Sequence, residues 1–428
     1  MKSSVKCAIA SSMALFTVVA GAGTVALSVD KVQQRYPWSG LVDIDYTISC
    51  DSGTALGLDD NLEVLMIDNS ETPAVTNRAL TFLQAPLPMT PGSHRITWNA
   101  NADGVSNRTD RAQFEMTVVH YAEEYMVIDV KEGASATEYH VTYLNGKPGG
   151  DGFNQDEYKG DKIVLRRIRP GSYVAGSPST EAQRGAGEIQ HNVMISKPFY
   201  IGVFEITQKQ YYNVMAADPS AAKGDYRPVE QVSYQKFRGT NDWPGVKEPT
   251  EESFVGQLLA KCVSQNPATG AWDVPVTGFD MPTEFQWEYA CRAGTTNGIN
   301  TAVAFDNTSP GAMEDALKPL ARFKKTKGDG KGEYSEGHTK VGSYEPNAWG
   351  LYDMHGNVWE LCRDWYSDRP DLSGQFVDPE GPLTGPYRLR RGGSWDSQYY
   401  DCRSAKRDGN GPTESRNFLG HRLCCETR

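Results

Sequence analysis

The run EPNAWGLYDMHGNVWELCR at residues 345–363 constrains this chain more than any other stretch. Trp349 and Trp359 bring two large rings, Gly350 and Gly356 leave the backbone free to turn between them, and Asp353 and Glu360 add carboxylates, a mixture that generic folding code does not explain. Asp353, Gly356, Val358 and Glu360 together offer two carboxylates and two backbone carbonyls within one short loop. Calcium takes about six to eight oxygen ligands, which makes these four candidate calcium ligands. The structural alternative at the same residues is that Asp353 caps a turn and Glu360 pairs with one of the chain's many arginines.

At 428 residues the chain is too long for one ordinary domain of about 100 to 200 residues, and two domains are expected. Residues 1–26 read as a secretory signal peptide: Lys2 and Lys6 precede an apolar run from Ala8 through Val19, followed by small residues suited to cleavage. That run is too short and interrupted to span a bilayer, and no other segment reaches eighteen consecutive apolar residues. The mature chain is therefore expected to have no membrane span and to be secreted, periplasmic or on the cell surface. Residues 27–145 carry short alternating runs, LVDIDYTI at 41–48, RITW at 95–98 and FEMTVV at 114–119, which predict a small all-β sandwich-like domain with a structural or spacer role. The glycine-rich NGKPGGDG motif at 145–152 marks a linker over 146–160, and residues 161–428 form the second domain. Within it, Thr207 is placed to cap a helix over 208–215, and Thr283 with Gln286 three residues on has the capping-box pattern.

A net charge of −11 repels phosphate backbones at long range, which excludes nucleic acid as an expected partner. The arginines from 388 onward alternate with Gly, Ser and Asp, so they are expected to find internal carboxylates and carbonyls. Without Cys7, lost with the leader, seven cysteines remain, and an oxidising compartment would allow up to three bridges without fixing their pairing. There is no CxxC pair and no HExxH motif, so zinc has no support.

The 347–360 segment, NAWGLYDMHGNVWE, resembles the signature of the formylglycine-generating enzymes, also called sulfatase-modifying factors, and RRGGSW at 390–395 follows where that family's second signature belongs. The strand and turn at 163–177 and PTEFQWEYAC at 282–291 resemble further family motifs in family order, so the resemblance covers about residues 160–428. It implies an α+β, C-type-lectin-like fold with long loops. It also implies calcium at Asp353, Gly356, Val358 and Glu360, with Asp353 where Asn is common. A second family calcium site would fall near 322–337, where no ligands match. A disulfide between Cys291 and Cys402 is implied as well, since a cysteine ending that helix is bridged to the C-terminal segment in the family's enzymes.

Those enzymes hold copper(I) with two cysteines shortly after Gly-Gly-Ser and convert a sulfatase cysteine to formylglycine. Counting forward from Ser394, the two positions are Ser397 and Cys402. A serine hydroxyl is hard and weakly acidic where copper(I) requires soft thiolates. Counting back from Gly420, His421 and Arg422 makes Cys402 a structural cysteine instead. Under either count the copper pair is incomplete, so copper is not expected and no catalytic residue is assigned. Leu361 and His421 are further departures from the family pattern, and the vicinal Cys424 and Cys425 point to opposite faces of a strand, which unsuits them as a substitute pair. What remains is an aromatic and polar segment, Trp395, Asp396, Gln398, Tyr399, Tyr400 and Asp401, suited to stacking on and hydrogen bonding with a peptide, protein or glycan ligand. A ligand-binding module is the expected function. The alternatives are an oxidase acting on protein or small-molecule thiols, formylglycine generation included, and a structural surface protein.

Overall fold

The computed structural model describes residues 15–20, 23–35, 41–50, 60–68, 75–79, 90–100, 113–120, 123–301, 305–324, 337–368 and 375–426. They divide into two compact units, Met1–Glu124 with Pro170–Ser172, and Tyr125–Arg169 with Tyr173–Arg428. Most of the expected leader, residues 1–14 and 21–22, lies outside the described residues.

In the first unit, β1 (Leu15–Ala20), β2 (Gly23–Gln34), β3 (Leu41–Cys50) and β6 (Gly92–Asn99) make one antiparallel sheet, and β4 (Asp60–Asp68), β5 (Val75–Ala79) and β7 (Gln113–His120) make another. Alternation decides their faces: Val42, Ile44, Tyr46 and Ile48 of β3 are all buried, as are Ile96 and Trp98 of β6. Trp98 meets Phe114 of the other sheet edge to face at 6.0 Å. This is the two-layer, all-β arrangement that the alternating runs predict.

The second unit is mixed α+β. Its largest sheet has eight strands in the order β15 (Trp272–Pro275), β14 (Cys262–Gln265), β9 (Tyr139–Leu144), β8 (Tyr125–Asp129), β10 (Lys162–Ile168), β13 (Phe199–Gly202), β22 (Cys424–Glu426) and β16 (Phe279–Asp280). The two edge strands β15 and β16 are consecutive in the chain, separated only by residues 276–278, so the sheet curls towards closure. Two smaller sheets accompany it, one of β11 (Gly171–Ala175), β12 (His191–Ile195) and β18 (Gln375–Val377), the other of β20 (Asp408–Asn410), β19 (Arg388–Arg391), β17 (Trp359–Trp365) and β21 (Leu419–Gly420). The helices are short: α1 (Glu157–Gly160), α2 (Gln208–Met215), α3 (Tyr234–Phe237), α4 (Phe254–Lys261), α5 (Glu284–Arg292) and α6 (Pro310–Leu317). Thr207 and Thr283 close the capping boxes of α2 and α5 with Gln210 and Gln286, at the starts that the sequence predicts.

Two expectations about the division of the chain are corrected. The Tyr125–Leu144 segment, assigned by sequence to the 27–145 domain, supplies β8 and β9 to the second unit, where β8 pairs with β10 from Lys162↔Asp129 to Arg166↔Tyr125. Residues 146–160 are not a free linker either, because Phe153 and Tyr158 are buried with Tyr125, Val164 and Phe204. Burial of apolar rings outweighs the glycine content that suggested a spacer.

Among the described residues, regular structure is sparse from residue 293 onward, and buried ion pairs tie the loops to the sheets. Arg391 reaches Glu284 at 2.5 Å and Glu288 at 2.9 Å, with Arg292 on Glu288 from the same helix. Arg403 binds Glu181 at 2.7 Å and Glu188 at 2.6 Å. Arg422 pairs with Glu360 at 2.6 Å. All these groups are almost fully buried. Burial alone would raise the Glu188 carboxyl, but the Arg403 guanidinium overrides it and holds Glu188 below the ordinary carboxylate range. Replacing Arg403 by Met leaves two carboxylates buried without a counter-charge, which should cost about 3 to 5 kcal/mol in urea unfolding at neutral pH. Adding Glu181→Gln and Glu188→Gln should recover part of that loss.

Candidate functional site

The signature run and the Gly-Gly-Ser segment meet at β17 and β19, which pair antiparallel as Glu360↔Arg391 and Leu361↔Arg390. Gly392 and Gly393 then take φ of +91° and +75°. A Cβ on Gly393 would stand 2.6 Å from the Cys402 Sγ and 3.0 Å from the Asp401 carbonyl, so only glycine permits this turn. The chain leaves it into a loop docked on the signature run, with the Trp395 amide donating to the Asn357 carbonyl at 2.8 Å and the Lys324 amide to the Ser397 carbonyl at 3.0 Å. A single 3₁₀ turn, Tyr399–Cys402, returns it to the core.

Within this loop the predicted residues separate into two groups. Trp395, Gln398, Tyr399, Tyr400 and Asp401 are half-buried and Asp396 is exposed. Trp395 donates its indole N–H to the Asn417 carbonyl at 3.3 Å, Tyr399 and Tyr400 meet edge to face at 5.4 Å, and Asp401 pairs with Lys406 at 3.2 Å. Tyr399 also packs against the buried cluster of Ile299, Met313, Leu317 and Phe323. Ser397 faces inward instead. Its hydroxyl accepts from the Ser394 amide at 3.0 Å and lies 3.1 Å from the Ser394 hydroxyl, closing a four-residue turn.

Cys402 is fully buried, with burial pushing its thiol well above its usual range. Cys291, also fully buried, is pushed up to about 12. Both are free thiols in this structure, which shows no bridge between them. Their neighbours differ: the Cys291 Sγ lies against the Met354 carbonyl at 3.7 Å and the His355 Nε2 at 3.9 Å, whereas the Cys402 thiol turns to Gly393. His355 stands between the two segments. Its Nδ1 lies 2.6 Å from the Cys402 carbonyl while its Nε2 accepts from the Asn300 amide at 3.3 Å, which assigns a neutral ring protonated at Nδ1. Burial lowers its pKa to about 4, so it stays neutral at physiological pH.

Among the candidate calcium ligands, both carboxylates already have hydrogen-bond partners within the protein. Glu360 gives its oxygens to Arg422 at 2.6 to 3.0 Å and to the Trp287 indole at 2.6 Å. Asp353 accepts from the Gly342 amide at 2.7 Å, and its other oxygen is buried without a partner among the described residues. Glu205, unassigned by sequence, lies beside them and accepts from the Asn357 side chain at 2.6 Å and the Val358 amide at 3.1 Å. The Gly356 amide donates to the Gly392 carbonyl at 2.7 Å. Arg422, with the Lys159 ammonium, supplies the positive charge that a calcium ion would bring. Among the described residues no group of three or more His, Cys, Asp or Glu side chains is arranged to hold a metal. The segment 325–336, which covers most of the second family calcium position, lies outside the described residues.

Leu361 is fully buried in the core, and His421 stacks on Phe237 at 4.0 Å while bonding the Val232 carbonyl, so both departures from the family pattern are changes of packing. Cys424 and Cys425 lie in different buried clusters, on opposite faces of β22.

The sulfatase-modifying factor enzyme 1-like domain model matches residues 153–427, well over half of the chain. The chain belongs to that family. The formylglycine-generating enzyme of Streptomyces coelicolor is 39% identical over 165 residues, 37% of this chain and 50% of that protein. The chaperone protein LppX of Paenibacillus barcinonensis is 32% identical over 219 residues, 48% of this chain and 72% of that one. Among solved structures, Treponema denticola variable protein 1 aligns with 62% of this chain and 96% of its own, at 27% identity and a TM-score of 0.46. The chain thus spans between half and three-quarters of these two curated relatives. The family's C-type-lectin-like α+β fold, expected from the order of its motifs, is the fold of the second unit.

Sequence reasoning missed Glu205, His355, Asn300 and Lys159. Glu205 had a signal, a lone acid inside the apolar run PFYIGVFEIT at 198–207. Burial, joined by the charges of Asp353 and Glu360, raises the Glu205 carboxyl well above its usual value. Burial likewise raises Asp353, which stands at about 6 despite the Gly342 amide. A carboxyl with a raised folded-state pKa contributes stability that is complete below its unfolded value of about 4 and disappears as pH rises through the folded value. Thermal unfolding should therefore show the wild type losing stability relative to Asp353→Asn between about pH 4 and pH 6, with little further loss above that.

Proposed function

We propose that this chain is a sulfatase-modifying factor family member without copper-oxidase activity, acting outside the cytoplasm as a ligand-binding module whose 395–401 loop contacts a peptide, protein or glycan. The observation that carries this reading is the opposite orientation of the two kinds of side chain in one loop. The Ser397 hydroxyl is spent on Ser394, and the Cys402 thiol is buried with its pKa raised. The aromatic and polar side chains at 395, 396 and 398–401 are the ones left with accessible surface. A copper(I) centre needs two thiolates in reach of one ion, and a hydroxyl held in a turn supplies neither softness nor access.

A half-exposed aromatic set on a loop fixed at both ends is suited to recognition, because little side-chain or backbone freedom remains to be lost on binding. The loop is held at Trp395 by Asn357 and beyond Cys402 by the Arg403 ion pairs. The leader-like N-terminus supports placement outside the cytoplasm, and among the described residues no helix is long and apolar enough to cross a membrane.

Two measurements test the proposal. Incubating the purified chain with copper(I), oxygen and a Cys-x-Pro-x-Arg peptide should leave the peptide mass unchanged; conversion of the thiol to an aldehyde would sink the non-oxidase reading in favour of the thiol-oxidase alternative. A peptide and glycan array should yield a ligand whose affinity falls at least about tenfold in Trp395→Ala and Tyr400→Ala, a scale set by the loss of a stacked ring. A ligand indifferent to both substitutions would exclude this loop, and an empty array would favour a structural surface role.

A further inference from the structure

A buried lysine in the second unit has no carboxylate in contact with it among the described residues. Lys159, in α1, is only 2% exposed, and the acids beside it in the chain serve other lysines, Asp156 pairing with Lys340 and Glu157 with Lys162. The hydrogen-bond partner of its Nζ is instead a neutral amide, the Asn154 Oδ1. The walls around this contact are apolar. The Nζ stands 5.4 Å from the centre of the Phe204 ring, Phe204 stacks on Tyr352 at 4.9 Å, and Phe153, Tyr158 and Val341 belong to the same buried cluster. A buried ammonium is costly, and the cost falls when the amine is uncharged. Desolvation accordingly lowers the Lys159 pKa to about 8, which brings the neutral amine within reach near physiological pH.

A carboxyl is placed beside this pair. Gly342 takes a φ of +70°, its amide donates to the Asp353 Oδ2 at 2.7 Å, and a Cβ on it would stand 2.7 Å from the Asn154 Oδ1 and 3.5 Å from the Lys159 Nζ. Only glycine therefore lets amine, amide and carboxyl gather around one point. The Asp353 Oδ1 is buried and has no partner among the described residues. Amide exchange requires three groups held in place away from water: an amine that attacks, a carboxamide that is attacked, and a group that carries the proton between them. Lys159, Asn154 and Asp353 supply all three.

We propose that Lys159 and Asn154 condense, unaided by any other protein, to an isopeptide cross-link inside the folded chain. The Nζ–Cγ bond forms, the Cγ–Nδ2 bond breaks, and Nδ2 leaves as ammonia with the proton that Nζ gives up. Asp353 relays that proton. Nothing is oxidised or reduced, and no co-reactant is needed. The product replaces a buried charge by a neutral amide and closes a ring over residues 154–159, within the segment whose glycines suggest a spacer. Lys340 does not compete as the amine, being partly exposed and held by Asp156.

The test is mass spectrometry of the full-length chain, incubated at neutral pH until its mass is constant and then digested with trypsin. Lys147 precedes a proline, so cutting after Lys131, Lys159 and Lys162 would release residues 132–159 from an unlinked chain. The cross-linked chain should resist cutting after Lys159 and yield residues 132–162 as one peptide, lighter by one ammonia, about 17 Da. Lys159→Arg and Asn154→Ala should each restore the cut and the full mass, and Asp353→Asn should slow the loss of ammonia at least about tenfold. A succinimide at Asn145 and Gly146 would lose the same mass but leave the bond after Lys159 open to trypsin. The proposal is overturned if the wild type yields residues 132–159 at full mass, or if ammonia is lost while trypsin still cuts after Lys159. It is overturned equally if Asn154→Ala loses ammonia at that peptide or if Asp353→Asn cross-links as fast as the wild type. The wild-type digest decides by itself, so a variant that fails to fold does not blunt the test.

Discussion

The Arg422–Glu360 pair is the contact on which the second unit most depends. Glu360 lies in β17, at the end of the signature run, and Arg422 just before β22, the last strand of the main sheet. The same guanidinium donates to the carbonyls of Gly202 and Tyr352, so one side chain joins β13, β17 and the chain terminus. In a domain with long irregular stretches, no ladder of backbone hydrogen bonds could do this. The other buried arginines act alike, Arg391 bringing α5 to β19 and Arg403 bringing the end of the 395–401 loop to Glu181 and Glu188. Such pairs add little stability over an apolar replacement of equal volume, but they penalise any arrangement in which a partner is missing. They select one loop conformation among many.

That selection also orders the 395–401 loop, which sits between two fixed points: the Gly392–Gly393 turn and the Arg403 ion pairs. The glycine turn is forced by contact with Cys402, so the buried thiol acts as a packing element of the loop. A serine three residues past Ser394 serves the same end by closing the turn.

The cluster of Glu205, Asp353 and Glu360 shows how a ligand set can be retained in sequence and altered in chemistry. The four residues that match the family's calcium ligands are present, and a guanidinium from 62 positions away supplies positive charge beside Glu360. Asp353, in place of the more usual Asn, adds a charge that burial then discourages, which accounts for its raised pKa.

Much of this was legible in the chain itself. The capping boxes at Thr207 and Thr283, the alternation of the N-terminal strands, the internal use of the arginines and the order of the family motifs all depend on neighbours within a few residues or on composition, and local sequence carries that information directly. The family fold and the absence of a second thiol at residue 397 follow from the same reading. Only the tertiary structure decided the rest. It placed Tyr125–Leu144 in the second unit because strand partners are chosen by the whole sheet, and it buried Phe153 and Tyr158 where glycines suggested a spacer. It turned Cys291 and Cys402 to different neighbours and gave Glu360 to Arg422. Each of these outcomes is set by desolvation and by contacts between residues far apart in sequence, and neither quantity exists until the chain has folded.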